Sequence, residues 1–127
     1  MIRSMITATP NQVSFTNGEH SGLADVPKAK NGNGQGFGPH ELLEAALATC
    51  MTITASKYAA SQEIPIEGVS TEVRLVRKGE SEVTLEYTLV LSGAISEAQR
   101  QHLETAVSQC PVAKTLSGRI ACTPTLA

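Results

Sequence analysis

The stretch PHELLEAALATCMTITASKYAAS, residues 39–61, decides the fold. Pro39 suits the first turn of a helix, and Glu41 and Glu44 suit the positive end of its dipole. Leu42, Leu43, Ala46, Leu47, Cys50, Met51, Ile53 and Thr54 recur at spacings of three, four and seven, the period of an α-helix. With Ala45, Ala48 and Ala55 added, the segment is apolar around most of its circumference through residue 55. A surface helix would keep a polar face, so this one is expected to be central and buried on several sides. It should end near Ser61, ahead of Ile64-Pro65.

Downstream the period changes from helical to alternating. Val69, Thr71, Val73 and Leu75 share one face, opposed by Ser70, Glu72 and Arg74, with Val76 breaking the pattern. Residues 83–91 repeat it with Val83, Leu85, Tyr87, Leu89 and Leu91 inward, and Lys78-Gly79-Glu80-Ser81 makes a tight connection. The reading is an antiparallel hairpin with one wet face. Ser96 and Gln99 have the spacing of a capping box, opening a helix that carries Leu103, Ala106 and Val107 and ends around Gln109. A last strand is expected over roughly 119–124.

Upstream, residues 2–8 and 12–16 read as short strands around a turn at Pro10-Asn11, and Asn17-Gly18 signals another turn. Residues 27–38 hold four glycines and read as a loop. The plain reading is a mobile connector, although such a loop can also bring backbone close to a ligand. It lacks the GK[ST] of a phosphate-binding loop. Strands, helix, hairpin, helix and strand in that order predict an α+β class, and 127 residues fit a single domain spanning 1–127.

Composition excludes several functions. Ten Lys+Arg against twelve Asp+Glu, with no basic run, gives no cluster able to neutralise phosphates, so nucleic acid is not an expected partner. No stretch approaches a membrane span, and the first ten residues contain no secretory apolar core. A cytoplasmic location is the expectation, and in that reducing compartment three cysteines do not form a disulfide framework. No CxxC occurs, and the nearest His, His102, precedes Cys110 by eight residues, so no metal site is expected. No cofactor enters the reading either.

The three cysteines differ in setting. Cys50 lies on the apolar stripe of the 39–61 helix, which alone suggests a core thiol of raised pKa. Cys110 precedes Pro111, and Cys110-Pro111-Val112-Ala113-Lys114 reads as the N-cap and first turn of a short helix. Free N–H groups there, with Lys114 adding charge, predict that Cys110 is the more acidic thiol. Cys122 falls in the expected last strand and reads as a small structural hydrophobe.

Two motifs taken together carry a resemblance: Gly38-Pro39-His40-Glu41-Leu42-Leu43-Glu44-Ala45-Ala46-Leu47-Ala48-Thr49-Cys50, and, about sixty residues on, Cys110-Pro111-Val112-Ala113-Lys114-Thr115-Leu116-Ser117-Gly118. With the hairpin and capped helix between them, roughly residues 20–122 resemble the osmotically inducible protein C and organic hydroperoxide resistance (OsmC/Ohr) family. The resemblance implies an OsmC-like fold, antiparallel sheets around two central helices in an intertwined homodimer. It also implies reduction of organic hydroperoxides or hydrogen peroxide, with Cys50 as the peroxidatic thiolate, Cys110 as the resolving thiol, and an external dithiol as reductant.

The chain departs from that family at the groups that activate the thiolate. The family uses an Arg salt-bridged to a Glu, and the Glu position, ten residues before Cys50, is His40 here. Glu41 follows it, about 180° around the helix from Cys50. Ten helical residues span about 15 Å, so a contact with Cys50 would come across a dimer. No Arg occurs over residues 10–22, and Arg3 aligns elsewhere. Relatives of the GP-x-ELL type also lack the Glu. His40 is the candidate base or cation, histidine being the residue type whose charge can switch around neutral pH, and equally reads as an exposed helix-terminus residue. Two further readings stay open: an OsmC-like domain that senses oxidants or binds a small apolar ligand, and a structural dimer with vestigial thiols.

Overall fold

The computed structural model describes residues 1–125 and divides into two compact units, Met1–Leu43 and a second beginning at Glu44. In the first, β1 (Arg3–Ile6), β2 (Val13–Thr16) and β3 (Ser21–Ala24) form an antiparallel sheet in that order. The first strand is shorter than the expected 2–8, because Thr7 already serves the turn. Its N–H donates to the Gln12 carbonyl at 3.2 Å, and Asn11 takes a left-handed φ of 67°. The Asn17 turn is also present, with Asn17 Oδ1 accepting from the Glu19 and His20 N–H groups. β3 was not expected. It forms because Gly22 lies opposite Phe15, whose ring covers it closely enough that a Cβ there would sit 2.5 Å from ring carbon Cζ.

The glycine-rich loop is no mobile connector. Asp25, 3% exposed, accepts from the Val26 N–H at 2.7 Å and the Gln35 N–H at 3.0 Å, so one buried carboxylate holds both ends of the excursion. Paired Asp25–Phe37 and Phe37–Leu23 backbone bonds close its neck, and Lys28–Lys30 make one 3-10 turn. Gly32 packs where a Cβ would collide with the Val26 carbonyl oxygen. Short-range polarity suggested mobility; the satisfied carboxylate gives order instead.

α1 (Pro39–Ser61) starts in the first unit and continues into the second. Its buried residues are Leu47, Met51, Ala55 and Ala59, one stripe at spacing four. The expected burial on several sides is therefore corrected: Ile53 is 57% exposed, and the chain itself covers a single face. That cover comes from the hairpin β4 (Ile66–Arg77) and β5 (Val83–Gly93) and from α2 (Glu97–Ser108). In the hairpin Val69 faces Leu91, Thr71 faces Leu89, Val73 faces Tyr87 and Leu75 faces Leu85. The wet face carries the Arg74–Glu86 ion pair at 2.9 Å. Two polar contacts tie α1 to β4: Thr52 to Thr71 through their hydroxyls at 3.1 Å, and the Leu75 N–H to Glu44 Oε2 at 2.8 Å.

The capping box of α2 is present in full, with Ser96 Oγ accepting from Gln99 N and Gln99 Oε1 from Ser96 N. α3 (Pro111–Ser117) follows at once. Leu103 and Val107, both fully buried, bring α2 onto Met51, Ala55 and Ile64, and each contributes about 1.5–3 kcal/mol by burial. The last strand expected over 119–124 does not form: Arg119–Thr125 have no regular structure and pair with no described strand. An extended segment without a ladder partner leaves its N–H and C=O groups to water. Cys122 is correspondingly exposed, not a packed strand residue. An α+β architecture of three helices and two antiparallel sheets results.

Candidate functional site

Cys50 sits half-buried on α1 beside the Leu47–Met51 stripe. It packs against the core cluster that contains Cys110, which is 1% exposed. Cys50 lies near enough to Cys110 to raise that thiol's hold on its proton. Neither is in a disulfide. Residues 60 positions apart in sequence thus converge because α2 folds back across α1 and ends at the thiol. The Cys110 N–H closes the last turn of α2 by donating to the Val107 carbonyl at 3.1 Å.

Cys110 is also the N-cap of α3, as its place before Pro111 predicts. Its backbone is extended (φ −62°, ψ 154°), and its Sγ accepts from the Ala113 N–H at 3.4 Å. The acidity expected from that position is overturned. Burial pushes the Cys110 thiol up, and the Cys50 thiol adds to the rise; hydrogen bonds from the Ala113 and Val112 N–H groups only partly offset it. Lys114 is exposed and is not among the groups acting on the thiol. The competing effect was invisible locally, because the buried cluster that encloses Cys110 includes Leu47, Met51 and Ala55, which come from α1 about sixty residues earlier.

A groove of about 320 Å³ runs alongside, lined by Leu47, Met51, Leu85, Tyr87, Ala113 and Leu116. It borders α1 and α3, and its wall is mixed, with Thr84, Ser108 and Ser117 adding hydroxyls to the apolar side chains.

His40, the third candidate, belongs to the first unit and is exposed at the second residue of α1. It lines a hollow of about 290 Å³ with Val26, Pro27, Lys30, Pro39 and Glu41. Glu41 is committed locally: its Oε1 accepts from the Gly38 N–H at 2.8 Å, capping the start of α1. The structure therefore brings Cys50 and Cys110 together within the second unit, while His40 is part of the first. Sequence reasoning anticipated the backbone donor to the Cys110 sulfur, realised by Ala113, but missed the burial that outweighs it. Among the described residues no helix is long and apolar enough to cross a membrane, and no three His, Cys, Asp or Glu side chains gather as metal ligands.

Comparison with known proteins places this geometry. The family described as OsmC-like protein matches residues 32–125. No curated protein matches. Solved structures do: an OsmC-like protein of Mycoplasma pneumoniae has a TM-score of 0.74 at 23% identity, covering 93% of this chain and 86% of that one. The organic hydroperoxide resistance protein OhrB of Bacillus subtilis has a TM-score of 0.63 at 24% identity, over 93% of this chain and 90% of its own. An organic hydroperoxide resistance protein OsmC of Legionella pneumophila has a TM-score of 0.66 at 23% identity, over 93% and 88%. At these identities the likeness is one of fold.

Proposed function

The chain belongs to the OsmC-like protein family, and from that premise we propose that it is a thiol peroxidase acting on organic hydroperoxides or hydrogen peroxide. The observation that carries the reading is that a half-buried thiol, Cys50, packs against the buried cluster that contains a second free thiol, Cys110. The hydroperoxide resistance proteins among the structural relatives support the substrate class.

In this reading the Cys50 thiolate attacks the terminal peroxide oxygen. The O–O bond breaks, the alkoxide leaves and is protonated, and Cys50 becomes a sulfenic acid. Cys110 then attacks the sulfenic sulfur, releasing water and forming a disulfide, which an external dithiol reduces to two thiols. The raised pKa of Cys110 suits the second role, because a protonated thiol does not compete for peroxide. Aliphatic groups of the groove offer a wall for the organic part of a hydroperoxide. His40 is proposed as the group that assists Cys50 from a second copy of the chain. Residues 1–127 act as one domain in a homodimer; the exposed apolar side of α1, including Ile53, supports that partner. A reducing cytoplasm is the compartment in which three free cysteines persist.

The test is consumption of cumene hydroperoxide with dithiothreitol or dihydrolipoamide as reductant. Turnover should vanish in Cys50→Ser, and a wild type no faster than that variant sinks the enzyme reading. One observation favours the alternative of an oxidant sensor: Glu41, the acid beside the family's Glu position, is spent on a helix cap. One equivalent of peroxide would then cost the protein two hydrogens in mass without further turnover.

A further inference from the structure

The cap of α3 rests on one sulfur. Pro111 has no N–H, and the Ala113 N–H donates to Cys110 Sγ at 3.4 Å, the side-chain cap of this helix. No residue of α3 is fully buried, and only Val112, Ala113 and Leu116 pack against the core. A seven-residue helix has little stability of its own. Its far end is not pinned either, since Gly118–Thr125 are exposed and without regular structure. Order in α3 therefore depends on its cap and three partial contacts.

Resting on the peroxidase reading above, we propose that forming the Cys50–Cys110 disulfide uncaps α3 and so opens the Cys110 side of the bond to the external dithiol. The Cys110 sulfur attacks the sulfenic sulfur of Cys50; the S–S bond forms, the S–O bond breaks, and the hydroxyl leaves with the thiol proton as water. Hydroperoxide has already supplied the oxidising equivalents. A bridged sulfur is a poorer acceptor than a thiol or thiolate, and its position is now dictated by α1 as well as α3. The Ala113 N–H loses its partner at that moment. In the ordered fold a dithiol can approach the bond only from the half-buried Cys50 side, because Cys110 is 1% exposed; attack at the Cys110 sulfur needs α3 to move. Loosening α3 supplies the approach only after oxidation, and re-capping closes it once both thiols are restored.

Hydrogen–deuterium exchange on the full chain tests this, comparing the reduced protein with protein oxidised by cumene hydroperoxide or by diamide, the disulfide being verified by mass. Amides of Val112–Ser117 should exchange about fivefold faster in the disulfide form, the factor expected for one lost N-cap, while those of α2 stay unchanged. Cys110→Ala should show the same acceleration without oxidant, and Cys110→Ser, whose hydroxyl can accept from the same N–H, should not. A verified disulfide with unaltered exchange in α3, or a Cys110→Ala protein as protected as wild type, overturns the inference. If diamide forms the disulfide and loosens α3 while peroxide forms none, the peroxidase reading falls and the opening of α3 stands. If neither reagent joins the thiols, both fall.

Discussion

Replacing Leu103 by alanine measures how tightly the wall behind Cys110 is built. Leu103 is fully buried in α2 among Met51, Val107 and Cys110. The substitution removes three carbons, which at about 0.8 kcal/mol per buried methylene is about 2.4 kcal/mol of transfer free energy. The surrounding side chains hang on two helices and a hairpin, so the space cannot close fully, and a residual cavity brings the cost to about 3–4 kcal/mol. With a urea slope of about 2 kcal/mol per molar, the unfolding midpoint should fall by about 1.5–2 M at fixed protein concentration and in reductant. Ile53→Ala, at a position 57% exposed, is the internal comparison and should cost less than about 1 kcal/mol in the isolated chain. The same Leu103 variant should make Cys110 react faster with an aromatic disulfide reagent. A loss below about 1 kcal/mol, or equal losses at the two sites, would refute the claim that a close-packed layer seals Cys110.

Three further outcomes are expected. Because the folded protein holds the Cys110 proton more tightly than the unfolded chain, this residue's share of stability is complete below about pH 8.5 and is lost as pH rises beyond it, with a slope of up to about 1.4 kcal/mol per pH unit; urea midpoints of wild type and Cys110→Ala should diverge there, and parallel profiles would count against it. Glu44→Ala leaves the Leu75 N–H without its carboxylate, so stability should drop by about 1–3 kcal/mol and the Leu75 amide should exchange faster, with Glu44→Gln losing less than half as much. Ser96→Ala breaks the capping box of α2 and should cost about 1 kcal/mol, read from thermal unfolding; an unchanged midpoint would show that α2 is held by packing alone.

What the sequence made legible was local. The hairpin follows from alternation and a short connection, and the start of α2 from Ser96 and Gln99, because neighbours in sequence satisfy each other there. The position of Cys110 as an N-cap follows from Pro111 in the same way. Its proton affinity does not, since burial in a core assembled partly from α1 raises it. β3 was missed because Ser21-Gly22-Leu23-Ala24 has a single large side chain; its extended form depends on β2 and on the Phe15 ring over Gly22. The loop after it looked free because the anchoring carboxylate of Asp25 precedes it and meets Gln35 ten residues on. Segment 119–124 erred the other way: its apolar content suits a strand, but strand formation requires an adjacent edge.

The bond from Leu75 to Glu44 bears on solubility as well. β4 runs twelve residues, pairs on one side with β5, and carries Val69, Val73 and Leu75. A long edge of this kind is a template on which unrelated chains can add strands. By placing a helix carboxylate on one of its N–H groups, the fold sets a negative charge where an incoming strand would have to bond. One glutamate thus occupies a donor that an added strand would need.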